Sequence, residues 1–345
     1  MTKRPLSFDV LFRVHSPADA PKAAKAYEDW GVDGLWAAEK DHDPYLLLAL
    51  AGNATKKVKL GTAIALAFNR SPMSIASTAW DLQMLSQGRF VIGLGTQVRA
   101  HIERRFSASW DMPVKRMREA ITSLKTIWNT WKTGEELNFQ GEFYKFSLMT
   151  PAFTPPPMPY PAPPIYLGGV NAQITQLAGE LCDGFHVHPF HTIEYLRETL
   201  MPNLAKGADK AGRDLDDVTI CSSAFCIMGD TRQELETTRE SVRQQLSFYA
   251  STKAYRKVLE VHGWDDVGVR LGKMAAQQQW QDMPALITDE MIDAFAITGS
   301  TGEMADLLKE KYAGLLDRVA INSGPEAGSK LHDERLLNIA RSFHE

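Results

Sequence analysis

Short β-branched or apolar runs alternate with longer helical stretches along almost the whole chain, and this alternation limits the fold more than any other feature. Strand-like runs at residues 6–14, 34–38, 58–67 and 90–95 are followed by helical patterns at 17–30, 44–55, 72–85 and 113–131. Repeated β–α units of this kind predict a parallel sheet with right-handed crossovers. The pattern then breaks. Residues 139–146, with Gly141 at the bend, read as a small antiparallel hairpin, and the proline-dense stretch 151–164 suits neither a central strand nor a helix. An ordered excursion crossing the top of the fold is expected there.

The alternation resumes with strands at 165–168, 184–188 and 218–228 and helices at 171–181 and 193–211. A long helical region rich in Gln and Lys follows at 232–291. Ser300-Thr-Gly-Glu303 has the spacing of a capping box opening a helix to Tyr312. An eighth strand at 317–321 and a closing helix at 332–343 complete the chain. Eight strands alternating with helices predict an α/β fold, a (β/α)8 TIM barrel. It is expected to form one domain over residues 1–345, with insertions near 135–163 and 232–298. An open doubly wound sheet is the competing arrangement, because periodicity does not report closure. The 345 residues suit one barrel with insertions, since such barrels run to about 250 residues or more.

Composition narrows the function. With 44% hydrophobic and 23% charged residues and a net charge of −4, the chain shows no nucleic-acid footprint and no polybasic membrane patch. Cys182, Cys221 and Cys226 form no Cys-x-x-Cys pair, so neither a disulfide framework nor a zinc knuckle is expected. The first residues carry no signal-peptide pattern, and no apolar run reaches the roughly 20 residues that span a bilayer. A cytoplasmic protein is expected.

In such a barrel the chemistry sits at the C-terminal ends of the strands. The positions concerned are Arg13 and His15; Glu39, Asp41 and His42; residues 65–69; Thr96 to His101; Gly168 to Asn171; and His186 to His191. Gly168 and Gly169 precede a helix whose first N–H groups suit an anion, although two glycines also simply make a tight turn. Gly93-Leu-Gly95 lacks the third glycine of a dinucleotide fingerprint, since Val98 stands there, so small residues making room for a flat ring are the better reading. Arg99 and His101 are available to an anionic group. His186 and His188 share one strand face, with His188 toward the catalytic end and His191 just beyond. No complementary ligand spacing accompanies them, so no metal is expected. Glu39 is suited to proton transfer or to holding a ring nitrogen, with a salt bridge to Lys40 or Arg13 as the plainer alternative. No Gly-x-Ser-x-Gly supports hydrolysis.

Several runs resemble those of the bacterial luciferase-like superfamily. They are Lys59-Leu-Gly61-Thr62-Ala-Ile-Ala-Leu with Asn69-Arg70-Ser71-Pro72, then Trp80 through Ser86-Gln-Gly88-Arg89-Phe90-Val-Ile-Gly93-Leu-Gly95, and later Pro163-Pro-Ile-Tyr-Leu-Gly168-Gly169 and Asp183-Gly184. The branch it most resembles uses the deazaflavin coenzyme F420. That resemblance implies a bulge in strand three with a non-prolyl cis peptide at Ala63–Ile64 behind the cofactor ring. It also implies that Thr96, Gln97, Val98 and Arg99, together with Gly168, Gly169 and Val170, carry the cofactor's ribityl and phosphate portions. Sugar-phosphate dehydrogenases of that branch have an Asp-His pair where this chain has Glu39–Lys40 and an acidic residue where it has Val98. Their phosphate-binding Thr and Lys are replaced by His188 and His191. A sugar phosphate is therefore disfavoured and a less charged organic substrate expected.

The expected function is hydride exchange between F420 and a small organic substrate, with Glu39 and His188 handling protons and His42 and His191 as second choices. An FMN-dependent monooxygenase using oxygen and a cofactor-free binding protein are the alternatives. The resemblance also implies a homodimer formed through residues 46–50 and 75–85.

Overall fold

The computed structural model describes residues 5–322 and 330–344. Its parallel strands are β1 (Ser7–Leu11), β2 (Gly34–Ala37), β3 (Lys59–Thr62), β4 (Phe90–Gly95), β5 (Ile165–Gly169), β6 (Gly184–Val187), β7 (Thr219–Met228) and β8 (Arg318–Asn322). Each pairs with the next, and β8 pairs with β1, so the sheet closes into a (β/α)8 barrel. The open-sheet alternative is excluded by the β8–β1 register Ser7↔Arg318 to Asp9↔Ala320.

Strand alternation divides the side chains between the helices outside and a narrow interior. Phe8 points outward and stacks on Phe343 of the closing helix Lys330–His344, with ring centroids 5.2 Å apart. Inside, Trp36, Val91, Tyr166 and Cys221 pack together. Trp36 stacks on Tyr166 at 5.8 Å and meets the edge of His186 at 4.9 Å. The Trp36 indole donates to Asp9 at 2.6 Å, and the Arg318 guanidinium binds the same carboxylate through Nε at 2.8 Å and Nη2 at 2.5 Å. The lower barrel is therefore filled, and Arg318 within it is paired with Asp9.

Three expectations need correction. The proline run does not cross the top. Pro161 O accepts from Gln83 Nε2 at 2.9 Å near the end of helix Pro72–Leu85, and the Tyr160 ring lies against Gly88, so the run passes the N-terminal ends of β4 and β5. Ser300 does not cap a helix. Its N–H and hydroxyl both donate to the Glu303 carboxylate, and the helix begins at Met304. The reciprocal box is Thr231–Glu234, opening helix Arg232–Ala250. Finally, the insertion after β7 ends in a strand absent from the sequence reading, Ala296–Gly299, paired with Phe225–Met228. Phe225 pairs with both Ala296 and Asn322, so the long β7 is shared between neighbours on its two edges and rises past the barrel rim. The insertion is thereby held over the mouth on the β6–β7 side.

Among the described residues no helix is long and apolar enough to cross a membrane.

Candidate active site at the barrel mouth

Continuing the inward alternation past the filled layer brings Arg13, Ala38, Ala63, Gly95, Gly168 and His188 to the C-terminal rim. The β2–β5 half of the rim is therefore built of small residues, and the β1 and β6 side of polar ones.

On the small half, β3 is interrupted after Thr62 and resumes as Ala65–Leu66, with a cis peptide at Ala63–Ile64. Ala63 N–H donates to Ala37 O and Glu39 N–H to Ile64 O, which ties the bulge to the end of β2. The Ile64 side chain lies across two glycines. A Cβ at Gly95 would come within 2.5 Å of Ile64 Cδ1, and one at Gly168 within 2.9 Å of Ile64 Cγ2. Ala63 and Ile64 are half-buried between the buried Thr62 and Ala65, so Ile64 presents an apolar platform to the mouth.

This changes the reading of the glycines. Room at Gly93 is taken by Thr62 O and His186, at Gly95 by Ile64, and at Gly169 by the Ile174 side chain. They admit protein atoms, and a flat ligand would rest on Ile64 instead.

Glu39 is the second departure. Arg70 Nη1 donates to both of its oxygens at 2.7 and 2.8 Å, Asn69 Nδ2 donates at 2.9 Å and Leu66 N–H at 2.8 Å. Arg70 Nη2 also reaches Asp43 at 2.8 Å, and Asp43 in turn caps helix Pro44–Ala54 through Tyr45 and Leu46 N–H. The partner is thus Arg70, not the Lys40 or Arg13 of the plainer sequence reading. With its lone pairs committed, Glu39 clamps the β3 bulge and does not present a free carboxylate.

The histidines separate. His188 Nδ1 accepts from Phe190 N–H at 3.1 Å, so the neutral ring carries its proton on Nε2, which faces Tyr255 Oη at 3.1 Å. The two rings stack at 4.3 Å, and Tyr249 meets His188 edge-on at 4.9 Å. Burial pushes the His188 pKa down to about 3 and the Tyr255 hydroxyl up to about 12. Because Nε2–H donates to Tyr255 Oη, the tyrosine proton is free to point elsewhere. His191 lies deeper. Its Nδ1 donates to His188 O at 2.9 Å, its Nε2 accepts from Tyr312 Oη at 3.1 Å, and burial lowers its pKa to about 4. His42 stands apart, with Nε2 3.3 Å from His15 O. The structure thus joins His188 to two tyrosines of the insertion and leaves His42 and His191 outside that cluster. Tyr249 and Tyr255 carried no sequence signal, being ordinary positions in a helical stretch.

The proposed cofactor-tail segments are only partly open. Val98 N–H is used by the Gln97 side chain at 2.9 Å, Thr96 Oγ1 donates to Gln97 O, Gln97 is left-handed at φ 57°, and Arg99 is exposed beside Glu103 at 3.6 Å. At the other turn, Asn171 caps helix Ala172–Leu181 through Ile174 N–H at 2.9 Å. The Ala172 and Gln173 N–H groups have no intrahelical acceptor, and they lie just after Gly168, Gly169 and Val170. Two clefts open elsewhere on the outer wall. One of about 960 Å³ runs among helices Pro113–Thr133, Ala172–Leu181 and Met201–Lys210 and touches the rim only at Asn171. The other, about 460 Å³, lies between helices Pro44–Ala54 and Pro72–Leu85.

The chain is thus a closed (β/α)8 barrel whose bulged third strand carries an apolar side chain at the rim, with a histidine–tyrosine pair at the same end. Over residues 8–318 the sequence matches the luciferase-like monooxygenase family, to which the chain belongs. It is 44% identical over 302 residues to an uncharacterized protein of Mycobacterium tuberculosis, covering 88% of this chain and 89% of that one. It is 28% identical over 304 residues to the 5,10-methylenetetrahydromethanopterin reductase of Archaeoglobus fulgidus, covering 86% and 87%. The fold is similar to that of the coenzyme F420 dependent tetrahydromethanopterin reductase from Methanopyrus kandleri, with a TM-score of 0.77, 21% identity and 98% of each chain covered.

Proposed function

We propose that the chain is an oxidoreductase that exchanges a hydride between F420 and a small organic substrate at the barrel mouth. The observation that carries the reading is Ile64 laid over Gly95 and Gly168 as a half-buried apolar platform, at the same rim as the His188–Tyr255 pair. The residues fit the group. Ile64 and Ala63 would support a flat ring, and the amides of Ala172 and Gln173 would suit an anionic tail. The printed names of the Archaeoglobus and Methanopyrus relatives support the same reading.

When bound, the deazaflavin supplies or accepts the hydride; the chain supplies position and a proton. Glu39, locked by Arg70, fixes the bulge under the ring. His188 holds Tyr255 by donating from Nε2, and the Tyr255 O–H is left to donate to the substrate oxygen on which charge develops. In this reading His188 keeps the proton-handling part expected of it, and Tyr255 replaces Glu39 beside it.

The test is turnover of reduced F420, followed by absorbance under anaerobic conditions, against a panel of aldehydes, ketones and conjugated acids. Substrate-dependent oxidation without oxygen supports the reading. Turnover only with reduced FMN and oxygen would replace it with the monooxygenase alternative, which the family's name and the printed names of similarly folded monooxygenases support.

For assembly, we propose that a second copy covers the outer cleft beside Leu46 and Leu85, which are 53% and 42% exposed apolar side chains.

A further inference from the structure

The polar half of the rim carries two exposed cations, Arg13 and Lys40, that form no ion pair with a described residue. In the barrel below, Arg318 is paired with Asp9, and on the β2–β3 side Arg70 neutralises Glu39 and reaches Asp43. Arg13, the next inward position on β1 after Asp9 and Leu11, has no carboxylate within ion-pair distance among the described residues, and neither has Lys40 just past β2. A third cation is drawn to the same loop, since Arg105 Nη2 donates to Lys40 O at 2.9 Å. The neighbouring acid is Asp41, whose charge acts on Lys40.

The two cations sense each other and the aromatic cluster. Lys40 and Arg13 are both exposed, yet the Lys40 ammonium pKa is lowered, chiefly by partial desolvation and then by Arg13. His188 feels Lys40, and Tyr249 feels Arg13. Like charges held beside a neutral histidine are relieved by an incoming anion, and an arginine fork matches a carboxylate in two parallel hydrogen bonds. Beside them, the stacked His188 and Tyr255 rings and the edge of Tyr249 form a flat wall.

We propose that Arg13 and Lys40 form an anion-binding subsite that takes the carboxylate of a flat substrate packed against His188 and Tyr255. This rests on the hydride-transfer reading and names the substrate class of that same site. It also reverses the sequence expectation of a less charged substrate, which followed from losing the acidic and phosphate-binding positions of the sugar-phosphate enzymes. The cations come from strands β1 and β2, where only the fold brings them to one place.

The test is calorimetric titration with benzoate, benzamide and phenyl phosphate at low salt. It uses the free protein and the protein loaded with F420, whose binding is measured separately by fluorescence. Benzoate is expected to bind at least tenfold more tightly than benzamide, and the preference is expected to shrink between 20 and 200 mM salt, ranges set by about one screened charge pair. Arg13→Gln with Lys40→Gln is expected to remove it while leaving F420 affinity within about twofold, a margin well under one hydrogen bond. Lys115→Gln, on the remote cleft, is expected to change nothing. Equal affinity for benzoate and benzamide, or a preference surviving in the double variant, overturns the subsite. Phenyl phosphate binding about tenfold above benzoate, a 1.4 kcal/mol difference, overturns the carboxylate assignment. If F420 fails to bind but the benzoate preference and its loss persist in the free protein, the subsite stands and the cofactor reading falls.

Discussion

Tyr255 Oη lies 3.1 Å from His188 Nε2, and the opposite ring nitrogen of His188 is fixed by Phe190 N–H. A residue of the insertion is thus coupled to the end of β6 with a defined direction of donation. Tyr255→Phe is expected to lower kcat by roughly 10²- to 10³-fold, the usual size of a lost acid or oxyanion donor. F420 affinity should hardly move. His188→Ala should follow the same pattern more weakly, because it acts through Tyr255. Steady-state kinetics with a separate cofactor titration checks both. Unchanged kcat in Tyr255→Phe removes the tyrosine from the mechanism.

Glu39 gives a contrasting outcome. Its side chain is nearly buried and holds Arg70, Asn69 and Leu66 N–H, so Glu39→Ala leaves Arg70 with Asp43 as its one remaining ion pair among the described residues, leaves the Leu66 N–H without its acceptor and frees the bulge. A loss on the order of 3 kcal/mol is expected in urea denaturation, together with an F420 affinity weakened by roughly tenfold, equivalent to about one lost contact. A variant that folds normally, binds cofactor normally and fails only in kcat would return Glu39 to acid–base chemistry.

The platform can be disturbed from below. Gly168→Ala places a methyl group 2.9 Å from Ile64 Cγ2, forcing that side chain to shift. Cofactor affinity should fall about tenfold or more, with a stability cost of about 1–3 kcal/mol typical of overpacking. Fluorescence titration beside thermal unfolding separates the two effects, and an unaltered affinity would mean that Ile64 does not support the ring.

Acid stability follows from the buried histidines. Burial lowers His186 to about 4, His188 to about 3 and His191 to about 4. Between those values and the unfolded value of about 6.5, the unfolded chain binds protons that the native state refuses, so stability is full above that value and falls as pH drops through the window. Unfolding free energy should decline by several kcal/mol from pH 7 to pH 5. Urea midpoints measured at the two pH values check this, and a flat profile would place these rings in contact with water.

Much of this fold was legible in the sequence, because strand and helix periods are local. A helix is expected over residues 171–181, and in the structure Asn171 caps helix Ala172–Leu181. The Ser300 and Thr231 motifs have the same spacing, yet only Thr231 completes the box, since the Ser300 hydroxyl donates to the Glu303 carboxylate and does not accept from its N–H. The site was less legible. Glu39 and Arg70 are 31 positions apart, and nothing local chooses Arg70 over the adjacent Lys40. Tyr255 carries no motif and gains meaning only because β7 overshoots the rim and holds the insertion above it. Gly95 is expected to leave room for a flat ring and Gly168 to sit beside an anionic tail, whereas the group that lies against both is the Ile64 side chain.

Assembly has its own check. Leu46→Asp with Leu85→Asp, on exposed apolar positions, should convert a dimer to a monomer in light scattering without loss of helix content. A wild-type chain that is already monomeric rejects the proposed pairing.

The central claim is that a deazaflavin ring lies on Ile64 at the barrel mouth, and equilibrium titration of the purified protein with F420 and with FMN tests it most directly. Saturable one-to-one quenching of F420 fluorescence, weakened in Gly168→Ala, with much poorer FMN binding, is the expected result. Binding of FMN alone, or F420 binding indifferent to Gly168→Ala, would contradict it.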